Sequence, residues 1–294
     1  MNSKEFIPSF KQSMKADEKT RPYLFFHIPK SAGMSVVSGI ASCYEQVESN
    51  LSYQAWYGRA DDPKSQENQI VINAVKQYIQ RHGENSVGGL VASHSPTSVL
   101  NEAGIEFKMI TVLRGTVDRV LSAFNYDCMR KSIRPSTQAF QDFIHKPQYQ
   151  NVSVKTLLGV STIEGGEADI AATLVKDYFY AYCFIDDLNL MISSILSIEG
   201  LPNLQLGKEN KTIDTFRYQA SPEEIEQVKE LNLEDQRLID LLGYGSMKLP
   251  RFSTEFGMSE NVVIVSGRQT SEKYGYHSRI QKLSIYQKEQ PTLT

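Results

Sequence analysis

The sequence predicts an α/β fold with a central, mostly parallel sheet flanked by helices. Three observations predict it. Short apolar runs alternate with helix-length amphipathic segments along residues 22–242. The runs are apolar at consecutive positions, as in Tyr23-Leu24-Phe25-Phe26 and Met109-Ile110-Thr111-Val112-Leu113, which marks strands covered on both faces. Three of the strands lead directly to Lys30, His94 and Arg114, and in open α/β sheets ligands sit outside the C-terminal strand ends.

The elements follow in order. Residues 1–20 read as a loose polar arm, residues 22–28 as the first strand and about 33–43 as the first helix. Residues 44–65 are polar with scattered aromatics and read as a long loop or lid. Ile70, Ala74, Val75, Tyr78 and Ile79 have helical spacing over 66–82. Gly88 to Ser93 is a short strand that delivers His94, and Phe107 to Leu113 is a strand that delivers Arg114. A helix follows over 117–130, with Thr116 as its capping signal and Arg119 where Glu or Gln would complete a capping box. Further helices are predicted at 136–146, 150–158 and 167–177, a strand at 178–185 and an apolar helix at 187–199. Leu204 to Thr212 reads as extended. Ser221-Pro222-Glu223-Glu224 is a clear helix start, and helix continues to about Leu242. From Gly243 the composition turns to Ser, Thr, Gln and Tyr around one apolar run, Val262 to Val265. The expected domains are therefore the arm at 1–20, a main α/β domain at 21–244 and an appendage at 245–294, read as a hairpin plus a tail.

Composition narrows the function classes. With 294 residues, 40% hydrophobic and 22% charged, the chain has ordinary globular composition and the length for a sizeable core. A net charge of −3 argues against a nucleic-acid partner. Cys43, Cys128 and Cys183 are far apart and form no C-x-x-C pair, which argues against a zinc site or a disulfide framework. The N-terminus lacks a signal-type apolar core, and no run approaches the ~18 apolar residues of a membrane helix. The expectation is a cytoplasmic protein without a membrane span.

The stretch that organises the chain is Tyr23 to Ser35, an aromatic strand broken at Pro29 and followed by Lys30, Ser31, Ala32, Gly33, Met34 and Ser35. Strand, tight turn and helix N-terminus make a phosphate-binding geometry, because unpaired N–H groups and the helix dipole both favour an anion there. Lys30 adds a charge, and Ser31 and Ser35 add hydroxyl donors. The plain alternative is an ordinary βα turn with a solvated lysine. No G-x-x-x-x-G-K-[ST] loop is present. The second informative stretch is Leu113 to Tyr126. Arg114 leaves a strand, and Ser122 lies about two helical turns on. An arginine fork and a hydroxyl converging on one phosphate is sound chemistry. The competing reading is an Arg114–Asp118 pair with Ser122 merely exposed.

The run His27-Ile28-Pro29-Lys30-Ser31-Ala32-Gly33-Met34-Ser35 resembles the H-I-P-K-T-[AG]-G-T-S loop of sulfotransferases of the carbohydrate type, the branch of heparan sulfate 2-O-sulfotransferase and its bacterial relatives. Leu113 to Tyr126 resembles the partner motif L-R-D-P-V-x-R-x-x-S-x-[YF]-x-[YF]. The resemblance covers roughly residues 22–242. It implies a P-loop NTPase-like three-layer fold and a 3′-phosphoadenosine 5′-phosphosulfate (PAPS) co-substrate, with 3′-phosphoadenosine 5′-phosphate (PAP) as product and no metal. By the resemblance, Lys30, Ser31, Ala32, Gly33, Met34 and Ser35 hold the 5′-phosphosulfate, and Arg114 and Ser122 hold the 3′-phosphate. Glu209-Asn210-Lys211-Thr212 resembles the family's late N-x-[ST]-K-like segment, which adds Lys211 and Thr212. His94 is the implied general base, with Glu102 its competitor, and Lys30 assists catalysis. His27 reads as a structural hydrogen bonder.

Three departures stand out. Ser31 replaces threonine, Met34 replaces a hydroxyl residue, and Gly115-Thr116 replaces Asp-Pro. The implied acceptor is a hydroxyl, in a saccharide or glycan by the family branch, with a small molecule or lipid as other options. Arg130, Lys131 and Arg134 read either as a basic rim for an anionic glycan or as solvated surface. The competing functions are an ATP phosphotransferase of P-loop kinase type and a non-catalytic nucleotide-binding module. Oligomeric state is not written in the sequence.

Overall fold

Tyr23–Phe26 forms β1, the middle strand of a five-stranded sheet. Its neighbours are β2 (Tyr53–Ala55), β3 (Leu90–Ser93), β4 (Lys108–Leu113) and β5 (Ala181–Phe184), in the order β2-β3-β1-β4-β5, with every pair parallel. The structure, a computed structural model, describes residues 23–33, 35–36, 53–55, 69, 73, 90–93, 108–198, 203–206, 213–249 and 262–265. Phe26 pairs with Ser93 on one side and Thr111 on the other, and Thr111 Oγ1 donates to the Phe26 carbonyl at 2.8 Å.

Strand order decides where a ligand can sit. The connection leaving β1 runs toward β2, and the connection leaving β4 runs the opposite way, toward β5. The crevice outside the C-terminal ends of β1 and β4 is therefore the topological switch point of the sheet.

Both sheet faces are covered, as the consecutive apolar runs require. Successive strand residues point to opposite faces. Leu24, Phe26, Met109, Leu113, Tyr182 and Phe184 face one core. It is closed by α3 (Val152–Leu158), α4 (Glu167–Thr173) and α7 (Leu233–Leu242). Tyr23, Phe25, Ile110, Val112, Ala181 and Cys183 face a second core, closed by α5 (Leu188–Ile198) and by Val36. The result is the three-layer, P-loop-like α/β arrangement that was expected. A third cluster joins α1 (Thr116–Lys131), α2 (Thr137–Ile144) and α6 (Pro222–Leu231) through Phe124, Phe140, Phe143 and Val228. The predicted start of α6 is realised as a full capping box. Ser221 Oγ accepts from Glu224 N, and the Glu224 carboxylate accepts from Ser221 N at 2.8 Å.

Local details depart from the sequence reading. The stretch read as a loop over 44–65 contains β2, an edge strand paired to β3. The N-cap of α1 is Gly115, without a side-chain cap, so Thr116 is the first helical residue and not the cap. Val262–Val265 forms β7, which pairs in parallel with β6 (Asn203–Leu206) and so does not form a hairpin. Lys248 and Tyr182 exchange two backbone hydrogen bonds, at 2.9 and 3.0 Å, so the chain just past α7 returns to the sheet. Among the described residues, no helix is long and apolar enough to cross a membrane.

Candidate functional site

The turn after β1 is built at the switch point. Ser31 N donates to the Ile28 carbonyl at 3.2 Å, closing the turn, and Val36 N donates to the Ala32 carbonyl at 3.1 Å, opening the helix. Two non-glycine residues here have left-handed backbones, Lys30 at φ +70° and Ala32 at φ +59°, with Ser31 between them on the ordinary side. Alternation of this kind turns successive N–H groups to one side, into an anion-binding concavity. Each left-handed L-residue costs on the order of 1 kcal/mol, and such strain gathers at functional sites.

Gly33 has a different task. A Cβ there would overlap the His27 imidazole. That ring is buried and stacked on Phe25, with centroids 5.6 Å apart. His27 and Gly33 thus form one close contact that seats the turn on the strand end. This fits a structural His27.

The end of β4 meets this turn directly. Arg114 Nη1 donates to the Lys30 carbonyl at 3.3 Å. Partial burial lowers Arg114's affinity for its proton, while Asp118, Tyr244 and Asp186 pull the other way. Tyr244 donates its hydroxyl to Asp186 Oδ2 at 2.8 Å, and that bond raises the phenol's pKa. Asp118 attracts the guanidinium, as the competing reading has it, while Arg114 Nη1 hydrogen-bonds the Lys30 carbonyl. Lys30 Nζ lies 3.8 Å from the centre of the Tyr126 ring. Burial, reinforced by Arg114, lowers the Lys30 ammonium from its ordinary value to about 8.

Among the described residues, several buried polar atoms at this edge have no hydrogen-bond partner: Ser31 Oγ, Arg114 Nε and Thr116 Oγ1. Ser31 is 1% exposed and Thr116 3%. Buried polar groups are ordinarily satisfied, so each such atom calls for an explanation, and a ligand supplies one.

The structure thus brings together Lys30, Ser31, Ala32, Gly33 and Arg114. Ser35 lies in the first turn of the helix that opens at Gly33. Ser122 is half-buried on α1, one turn before Tyr126 and on the same face. His94, Glu102, Met34, Lys211 and Thr212 lie outside the described residues. Of the basic run after α1's core-facing stripe, Arg130 and Lys131 both clamp Asp127, at 3.2 and 2.6 Å, and Arg134 is exposed.

Tyr126 contacts Lys30, and Thr116 sits two residues past Arg114 in the first turn of α1; neither is among the candidate site residues read from the sequence. Tyr126 closed the second motif, which was its only signal, and Thr116 was read as a cap. Arg119, the other arginine of that motif, is buried at 2% exposure and serves the scaffold. Its Nε lies 3.4 Å from Asp235 Oδ2, and its Nη2 reaches the Tyr149 carbonyl and Asn232 Oδ1. Asp235 also caps α3, accepting from Ser153 N and Val154 N at 3.1 and 2.9 Å. Asn151 returns the favour, its Oδ1 accepting from Glu234 N and Asp235 N of α7.

No family model and no curated protein matches the chain. Among solved structures, a sulfotransferase from Alicyclobacillus acidocaldarius aligns with 77% of this chain and 97% of its own, at 14% identity and a TM-score of 0.43. The crystal structure of APE1195 aligns with 45% of this chain and 81% of its own, at 14% identity and a TM-score of 0.28. Likenesses this distant leave the site to be argued from the chain's own residues.

Proposed function

We propose that this site binds a 3′-phosphorylated adenine nucleotide and transfers its sulfuryl group to an acceptor hydroxyl, with PAPS as donor and PAP as product. One observation carries the reading. Ser31 within the left-handed turn and Arg114 against it leave buried polar atoms without partners among the described residues, at the switch point beside Lys30. The two motifs divide the work. The turn from Lys30 to Ser35 suits the 5′-phosphosulfate, and Arg114 with Ser122 suits the 3′-phosphate that separates this donor from ATP. Charge is handled by a lysine, an arginine and backbone N–H groups.

In the proposed reaction the acceptor oxygen attacks sulfur in line, and the bridging S–O bond breaks with its electron pair going to the departing phosphate of PAP. Lys30 and the turn's N–H groups stabilise the charge that builds on that bridging oxygen. The acceptor's proton goes to a base, for which the family resemblance favours His94 over Glu102. The same resemblance favours a saccharide or glycan hydroxyl as acceptor.

Calorimetric titration with PAP beside ADP, AMP and ATP, with and without magnesium, tests the donor site. Tight, metal-independent binding that requires the 3′-phosphate is the expected result. A preference for magnesium-ATP supports an ATP phosphotransferase instead. Absence of nucleotide binding overturns the reading. His94→Ala is expected to lower turnover by roughly 10²-fold or more, and near-normal turnover assigns the base elsewhere.

A further inference from the structure

We propose that Tyr126 is a positioning residue for Lys30: its ring face holds the ammonium, in its charged form, at the mouth of the donor turn. The role of that charge rests on the donor site proposed above; the contact itself does not.

The geometry is specific. Lys30 leaves the turn with a left-handed backbone, and its carbonyl is held by Arg114 Nη1 at 3.3 Å. The base of the side chain is therefore fixed. Its far end meets the Tyr126 ring at 3.8 Å from the centroid, well inside the range of a cation–π contact. Tyr126 is 43% exposed, so the ring is not there to fill a core. It lies one turn beyond Ser122 on the face of α1 that looks toward the turn.

The electrostatics give this contact a task. The groups that face the ammonium are Arg114, from the end of β4, and Tyr126, from α1; Asp118 in the first turn of α1 acts on Arg114. Among the described residues no carboxylate pairs with Lys30. Burial and Arg114 both favour the neutral amine, which binds an anion poorly. The quadrupole of an aromatic face opposes them, because it attracts the cation alone. A ring at this position therefore keeps Lys30 charged in the empty site without competing for it as a carboxylate would. An arriving phosphosulfate adds a full counter-charge on the open side of the ammonium, while the ring face keeps its place beneath it.

Two variants separate this role from simple packing. Tyr126→Phe keeps the ring face, and Tyr126→Leu keeps apolar cover but removes it. The readout is the titration of Lys30 itself, followed through its Cε chemical shift in lysine-labelled protein and assigned with Lys30→Arg, with no nucleotide present. Y126F is expected to keep the wild-type titration, near 8. Y126L is expected to lower it by roughly half a unit to one unit. An unchanged or raised Lys30 titration in Y126L overturns the proposal. A shift in Y126F equal to that in Y126L also overturns it, because the hydroxyl and not the ring face is then responsible.

A second measurement ties the contact to the donor. At about pH 8.5, Y126L is expected to bind PAP roughly three- to eightfold more weakly than wild type, whereas near pH 6.5 both carry a largely charged Lys30 and bind nearly alike. A pH-independent loss overturns the charge-keeping role. If wild-type protein fails to bind PAP at all, the donor reading fails, and the Lys30 titration still decides the contact.

Discussion

Replacing Gly33 by alanine tests the seat of the donor turn. The added Cβ would fall inside 3.0 Å of three atoms of the His27 ring, Nε2, Cε1 and Cδ2. The ring has little room to retreat. It is 7% exposed and stacked on Phe25, itself fully buried at the centre of the sheet. The turn must lift off the end of β1 instead. Overpacking of this kind costs about 1–3 kcal/mol. Alanine at a helical position returns up to ~1 kcal/mol against glycine. The balance is a loss of about 1–2 kcal/mol, which at about 2–4 °C per kcal/mol is a fall of roughly 2–8 °C in Tm. Urea denaturation measures the stability, and PAP titration measures the turn. PAP affinity is expected to fall more steeply than stability, because a lifted turn no longer aims its N–H groups at one point. The control is His27→Ala, which removes the obstacle. In that background Gly33→Ala is expected to be neutral or stabilising, giving a coupling of about 1–3 kcal/mol between the two positions. The same loss in both backgrounds, or an unperturbed G33A protein, would refute the seating role of this contact.

Ser31→Ala and Thr116→Val each delete a buried hydroxyl that lacks a partner among the described residues. Both are expected to leave the empty protein as stable as wild type or up to about 1 kcal/mol more stable, while weakening PAP binding. Lower stability with unchanged PAP affinity in denaturation and titration would show that these hydroxyls serve the fold. Asp235→Ala strands the buried Arg119 guanidinium and uncaps the first N–H groups of α3. A loss of about 3–5 kcal/mol in urea denaturation is expected, and a loss below about 1 kcal/mol would remove the pair from the scaffold.

Much of the site was legible because strands reveal their own ends. An apolar run followed by a lysine or an arginine puts that residue at the sheet edge, whatever the strand order. Lys30 and Arg114 are legible in this way, and Arg114 hydrogen-bonds the Lys30 carbonyl. Strands with weak patterning escaped. Tyr53-Gln54-Ala55 is short, half polar and at the sheet edge, so it lacks the apolar run that marks a central strand. The pairing of β7 with β6 escaped for another reason: the partners are separated by more than fifty residues, and the turn chemistry that announces a hairpin has no counterpart for a parallel pair.

The two arginines of the second motif divide along the same line. Each is a basic residue near the start of a helix, and spacing alone does not distinguish them. One reaches the turn, while the other is buried against Asp235. Residue type points to Thr116 as a cap, but the chain enters α1 through Gly115, which leaves the threonine hydroxyl inside and, among the described residues, unpartnered.

By itself, the sequence determined the α/β class, the burial of the aromatic strand on both faces and the two segments that carry charge to the sheet edge. These depend on local periodicity and on which residue follows a strand, and both are properties of neighbouring positions. Only the tertiary structure decided that Gly33 is needed for its contact with His27, that Lys30 rests on Tyr126, and that Ser31, Arg114 and Thr116 leave buried atoms unpaired among the described residues. Those facts depend on close packing and hydrogen-bond geometry between segments remote in the chain, which no local pattern encodes.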